Sequence, residues 1–448
     1  MFDRFPLLFY GLGISLAAAY GVTQFLILLP ILLILIIADK KRGLILTPLL
    51  IAGFISGYMV RPITPPESGA YRFQLEQIVK RSNSYLFRGT IAEHNTKAYV
   101  RVKDLPDDLT DQLLITGKIK TALIFPKEIE IEEASRWAYT RFNFKQKVKE
   151  AIESITPHSQ SSDLLSALIT GDLDNKWLKK DFARFGLQHI LAISGFHFSF
   201  LAMSLAWILN GLFPHKWIPW ALILVLATYF LFLGPTSSII RAWIAIAMVS
   251  FAQIFRRENS ALNNLGLALI AIVLWDPRAL VEAGFILSFV LTASILLFAK
   301  PFDEKLKIWL HPRTFSTLDS LPVVQQTGVM ALSFIRQSLS LNAAVLMLAI
   351  PLTLVYFEAF PLWSLFYNLF FPALIAIALF IFLFSFIPYV ALFNSYYINF
   401  ILNLLHEMPT ELDGVISFSL NPNVVIVYTA IILGIGIYKT KNSSQFQF

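Results

Sequence analysis

Apolar runs separated by short polar breaks make up most of the chain, and one interval, residues 61–186, interrupts that rhythm. A helix needs about 17–25 apolar residues to cross the hydrocarbon of a bilayer. The first run, Phe5 to Ile37, is too long for one crossing, so it is expected to form a helical hairpin broken near residues 21–24. A third helix should run from about Leu44 to Val60, and a fourth from about His189 to Leu212. Further spans are expected near residues 218–233, 239–255, 261–274, 283–298, 341–357, 363–387, 389–405 and 423–438. The pattern predicts a polytopic α-helical membrane protein of about 11–12 transmembrane helices. Residues 317–340 are amphipathic and take no clear assignment.

Within residues 61–186 the texture changes. The prolines of RPITPPESG mark a boundary, and YLFRGTIAE, KAYVRVK, QLLITGKIKTALIF and EIEIE alternate apolar and polar positions or are rich in β-formers. Such short strands, parted by polar turns, suit one small extracytoplasmic β-barrel. A helix should follow, with Phe144, Val148, Ala151, Ile152 and Ile155 on its apolar face. The stretch from Ser161 to Leu187 reads as one or two amphipathic helices lying on the membrane. The expected organisation is therefore 1–60 for helices one to three, 61–135 for the barrel, 136–186 for the linker helices, 187–440 for the main membrane domain and 441–448 for a short cytoplasmic tail.

Of the 448 residues, 56% are hydrophobic and only 15% charged, which excludes an ordinary water-soluble enzyme. The formal net charge of +7 is modest, and clusters such as Lys40–Arg42, Arg256–Arg257 and Lys305–Lys307 account for much of it as cytoplasmic anchors of topology. There is no cysteine, so disulfides and thiolate metal sites are excluded. The first apolar run lacks a small-residue cleavage site and is expected to stay as membrane helix.

The candidate chemistry lies in three places. HILAISGFHF, residues 189–198, sets His189, Ser194, Gly195 and His197 at the head of helix four, where polar groups usually face a protein interior or a water-filled path. The two histidines are eight residues apart, about 12 Å along a helix, too far to share a metal unless the helix breaks. Ser194 lacks a nucleophile elbow. No catalytic residue, metal or cofactor is assigned. In GPTSSIIRAW, residues 234–243, Arg241 sits about one turn inside a helix, either snorkelling or facing a conduit for anions. Arg278 stands near the same surface, and Ser288 and Asn368 lie on later spans, where interhelical hydrogen bonding is the plain alternative. Finally, SRWAYTRFNFKQK interleaves Arg136, Arg141 and Lys145 with Trp137, Tyr139 and Phe142. Cations with aromatic faces suit single-stranded nucleic acid, but the same aromatics also suit the buried face of the following helix.

Several of these blocks together resemble the ComEC family of bacterial natural-competence proteins: LLSALITGD (164–172), GLQHILAISGFHFSFLA (186–202), GPTSSIIRAWIAIAM (234–248), DPRALVEAGFILSFVLTASI (276–295) and NAAVLMLAIPL (342–352). The resemblance implies an inner-membrane channel passing single-stranded DNA into the cytoplasm, with an OB-like barrel on the periplasmic side. His189, Ser194, Gly195, His197, Arg241, Arg278, Ser288 and Asn368 would shape the DNA path or its mouth. The implied partners are a periplasmic DNA receptor and, inside, a DNA motor or single-strand-binding protein, because the chain has no phosphate-binding loop for ATP. A homodimer is left open. Many relatives carry a metallo-β-lactamase-like domain that is missing after Lys441, so a separate nuclease and a short form of the family are expected. An intramembrane hydrolase built on His189, Ser194 and His197, or a small-solute secondary transporter, are the competing readings; no inverted repeat supports the latter.

Overall fold

The computed structural model describes residues 6–23, 43–81, 84–120, 122–173, 175–191, 193, 195–309, 322–407 and 414–442. The expected second crossing, the Lys40–Arg42 cluster, Ser194, and the tail beyond Asn442 lie outside the described residues. The protein is a polytopic helical membrane protein with a small closed barrel set into its first third.

Among the described residues six helices are long and apolar enough to cross a membrane: α7 (Gly195–Leu212), α9 (Ser237–Phe255), α11 (Ala283–Leu306), α12 (Val323–Phe357), α13 (Ser364–Phe382) and α15 (Pro422–Asn442). Beside them stand four shorter apolar helices: α1 (Pro6–Thr23), α2 (Gly43–Met59), α8 (Ile218–Leu233) and α10 (Ala261–Trp275). The bundle also contains α14 (Pro388–His406), tied to α13 by the Tyr397 hydroxyl donating to the Leu374 carbonyl at 3.2 Å. The stretch that took no assignment from its pattern becomes the start of α12 from Val323 onward, so that this helix extends over 35 residues.

Five strands close into a barrel: β1 (Ser68–Arg81), β2 (Ser84–Ile91), β3 (Thr96–Val102), β4 (Gln112–Lys120) and β5 (Leu123–Ile131). Their order around the barrel is β1-β2-β3-β5-β4, with β1 pairing back to β4 and only β3–β5 parallel. This is an OB-like arrangement. Alternation in β1 sends Tyr71, Phe73 and Leu75 inward until a register shift between Leu75 and Gln77 bends the strand. Phe87, Val100, Ile115 and Ile124 complete the core.

Helix α3 (Trp137–Ile155) plugs one end of the barrel with Ala138 and Phe142. Its own N-cap makes no side-chain cap. Asp111, from the loop before β4, does so instead, accepting from the Trp137 and Ala138 amides at 3.0 and 2.9 Å. The buried face of α3 differs from the expected one: Ala138, Phe142, Lys145, Lys149 and Ile152 are buried, while Phe144 is 58% exposed and Ile155 40%. The helix faces two partners, barrel and bundle, and a single apolar stripe describes neither. The next helix, α4 (Ser159–Thr170), also differs from the expected surface helix. It lies inside rather than on the membrane surface, with Leu164 to Leu168 all buried and the Ser161 hydroxyl donating to the Ser395 carbonyl at 3.0 Å. Helix α5 (Lys176–Arg184) is capped by Asn175 and remains amphipathic.

Packing between α1 and its neighbours depends on missing side chains. A Cβ on Gly57 would lie 2.1 Å from the Ala18 carbonyl oxygen, on Gly53 2.6 Å from that of Ile14, and on Gly266 2.2 Å from that of Leu7. Lipid tails are as apolar as leucine, so helices in a bilayer associate by such close backbone packing rather than by a hydrophobic drive. Gly266→Val is expected to lower stability by about 1–3 kcal/mol or more through overpacking. Gly284→Ala, whose Cβ would meet open space, should be neutral. Thermal unfolding of the detergent-purified protein reads both.

Candidate functional site: an arginine cluster in the bundle beneath an OB-like barrel

The expected fourth crossing breaks at its head. Helix α6 (Gln188–Leu191) ends four residues before α7 begins at Gly195. His189 belongs to the short piece, is exposed, and its Nδ1 lies 3.1 Å from the Gly186 carbonyl oxygen. His197 is on α7, buried, with its ring 5.8 Å from that of Phe196.

Gly195 opens α7 against the guanidinium of Arg241 on α9: a Cβ there would stand 2.8 Å from Nη2. Arg241 Nε donates to Ser288 Oγ at 2.9 Å, and Ser238 Oγ donates to the same oxygen at 3.1 Å. The Arg241 Cζ lies 6.0 Å from the centroid of Phe289, whose ring stacks on Phe285 at 4.5 Å. Among the described residues no carboxylate pairs with Arg241, and its two terminal nitrogens make no hydrogen bond. The structure thus gathers Gly195, Arg241 and Ser288 and adds Ser238. His189, Arg278 and Asn368 make no polar contact with Arg241. Arg278 is instead held by Asp276 at 2.7 Å within the 3₁₀ turn Pro277–Val281, and Asn368 Oδ1 is buried without a hydrogen-bond partner among the described residues.

The cationic-aromatic stretch on α3 is divided. Arg136 donates to the Leu109 and Asp107 carbonyls and lies 4.9 Å over the Tyr139 ring, and Trp137 stays 63% exposed. Phe142 goes into the barrel core, edge-on to Tyr85. Arg141 reaches the Glu76 carbonyl at 3.3 Å and abuts Gly234 at the end of α8. Lys145 is buried and donates to Asp172 at 3.1 Å, while Lys149 stands 3.7 Å from the other carboxylate oxygen. Gln77 of β1 also donates to Asp172, at 3.3 Å. Burial pulls the Lys145 ammonium below its ordinary range, and the attraction of Asp172 offsets this only in part. Gly171, in the left-handed region at φ 75, ends α4 and swings Asp172 into this junction.

The barrel carries a surface that the sequence pattern did not mark out. Facing outward across β2, β3, β5 and β4 run Arg88, Tyr99, Leu123 and Lys120, paired in that register, with Arg101, Phe125 and Lys118 on the adjoining row. Arg88 lies 5.7 Å over the Tyr99 ring, and Phe125 is 54% exposed. Period two in KAYVRVK already puts Lys97, Tyr99 and Arg101 on one face; only the strand order says that this face is outside and that Phe125 joins it. At its bundle end the face reaches Lys97, which pairs with Glu282 at the head of α11.

The model of the Competence protein family matches residues 170–442, which covers α5 to α15 and with them Gly195, Arg241 and Ser288. The chain belongs to the Competence protein family. It is 26% identical over 200 residues to ComE operon protein 3 of Bacillus subtilis, a match covering 43% of this chain and 25% of that protein. It is also 26% identical over 196 residues to the uncharacterized protein MG316 homolog of Mycoplasma pneumoniae, covering 44% of this chain and 49% of the relative. The matched stretches thus take in a quarter to a half of these relatives. No solved structure matches. The resemblance to ComEC read from the motifs agrees with this family, and the Gly-Asp of its first motif is the corner that supplies Asp172.

Asp172→Asn leaves two buried lysines facing a neutral amide. Breaking a buried pair by removing one partner costs about 3–5 kcal/mol. The variant is expected to unfold at a lower temperature and to show faster hydrogen exchange across α3 and β1, whereas Arg278→Gln, at a more exposed pair, should change neither.

Proposed function

We propose that this competence-family protein takes part in DNA uptake and provides the membrane passage for single-stranded DNA in natural transformation. The observation that carries the reading is Arg241, a guanidinium held inside the helical bundle by Ser288, whose terminal nitrogens make no hydrogen bond and meet no carboxylate among the described residues. A cation maintained in that setting at a cost in solvation calls for an anion that comes and goes, and a phosphodiester is one.

The barrel face supports the same reading. Arg88, Arg101, Lys118 and Lys120 can track phosphates while Tyr99 and Phe125 stack bases, and stacking is worth about 1–3 kcal/mol per base. The face runs down to Lys97 and Glu282 at the head of α11, the helix that carries Ser288. A strand lying on the barrel is thereby led toward Gly195 and Arg241. Arg256 and Arg257, at the far end of the bundle, favour that end in the cytoplasm and the barrel outside the cytoplasmic membrane. A DNA receptor outside and a motor or single-strand-binding protein inside complete the scheme.

Arg241→Gln keeps the hydrogen bond to Ser288 within reach and removes the charge. Weakening one phosphate interaction by about 1.4 kcal/mol predicts roughly a tenfold fall in transformation with labelled DNA, at unchanged membrane insertion. Transformation at the parental level would reduce Arg241 to a structural cation and remove the observation on which the passage rests. On the barrel, Arg88→Gln with Arg101→Gln should weaken binding of a single-stranded oligonucleotide to the purified protein. The salt dependence should flatten by about 0.7 in log–log slope for each phosphate that is no longer neutralised.

A further inference from the structure

A second polar feature lies at the end of the bundle away from the barrel. There the end of α7, the start of α8 and the end of α9 enclose an open cavity of about 1000 Å³. Trp207, Trp217 and Trp220 line it, 67%, 56% and 47% exposed, with Leu222 deeper in its wall. Its cations are Lys216, 5.8 Å over the Trp217 ring, and Arg256. No carboxylate lines the cavity among the described residues, and neither cation makes an ion pair there. Trp220 is braced edge-on against Phe251.

Three properties of this cavity converge on one ligand chemistry. Cations that make no ion pair among the described residues, in a cavity lined by no carboxylate, favour an anion, and the cavity opens beside the N-terminus of the 16-residue helix α8, the positive end of its dipole. Exposed tryptophans clustered at one end of apolar helices occupy the headgroup level of a bilayer. Basic pockets between membrane helices on the cytoplasmic side receive anionic headgroups. A strand of DNA leaving the passage is less well served. Gln253, in the cavity wall, follows Arg241 on α9 by about 18 Å of rise and roughly a third of a turn, so the cavity opens on a different flank from the one facing Ser288.

We propose that this cavity is a binding site for an anionic phospholipid, its phosphate received by Lys216 and Arg256 and its acyl chains lying along Trp207, Trp220 and Leu222. The proposal is independent of the DNA passage, and its failure leaves that reading untouched.

The test uses the full chain purified in detergent and examined by native mass spectrometry and thermal unfolding. Dioleoyl phosphatidylglycerol is expected to be retained in preference to dioleoyl phosphatidylcholine and to raise the unfolding temperature. Lys216→Gln with Arg256→Gln should lose that preference by roughly thirtyfold, as expected for two surface cations, while unfolding at the parental temperature without lipid. The comparison of the two lipids on the unsubstituted protein stands even where the double variant does not fold. Equal retention of both lipids, or an undiminished preference in a folded double variant, would overturn the proposal. So would the same stabilisation by inorganic phosphate alone, which points to a free anion, or displacement of phosphatidylglycerol by a thymidine oligonucleotide, which points to a DNA exit.

Discussion

Two lysines share one buried carboxylate where the barrel domain meets the helical bundle, and the seating of the barrel depends on that cluster. Asp172 leaves α4 at a left-handed glycine, Lys145 and Lys149 come from successive turns of α3, and Gln77 comes from the first barrel strand. Buried charges persist only where geometry and hydrogen bonding repay their lost hydration. The cluster therefore specifies a particular seating of barrel on bundle more than it adds net stability. Arg141 against Gly234 and Phe144 edge-on to Phe232 hold the same seam from the side of α8.

With the seam fixed, the distribution of charge over the rest of the molecule becomes informative. Two arginines, one partly buried and one buried, are neutralised close at hand, Arg278 by Asp276 and Arg336 by Asp303 at 2.8 Å. Among the described residues Arg241 has instead a serine and the Phe289 ring, and Arg141 a backbone carbonyl. The barrel repeats the contrast on its surface, where the outward rows from β2 to β4 collect cations and aromatic rings while Glu128 and Glu130 lie at the far end of β5. Under the proposed function these cations act before any specific contact forms, because fields of that kind steer an anionic polymer.

The contact around Arg241 is built from absences. Gly195 admits the guanidinium because it has no Cβ, and the break between α6 and α7 frees the backbone there from a continuous helix. Such breaks survive in a bilayer only where protein or water covers the exposed amides. Glycines do the corresponding work at the other side of the bundle, letting α1 lie backbone to backbone on α2 and α10.

Much of this was legible in the chain. Hydrophobic runs of bilayer length, period two in the strands, and the cationic clusters determined a polytopic helical protein with one inserted β-domain, because span length and side-chain periodicity are local properties. The motif HILAISGFHF and Arg241 stood out for the same reason, and the structure brings Gly195 of that motif against the Arg241 guanidinium. What only the tertiary structure decided is partnership: that Phe142 and Lys145 turn inward, that Arg278 is neutralised, that α4 is covered on all sides, and that Arg88, Tyr99 and Phe125 share one outer face. Those outcomes depend on which distant segments meet, through strand order and helix crossings between residues far apart in sequence, and no local pattern carries that information.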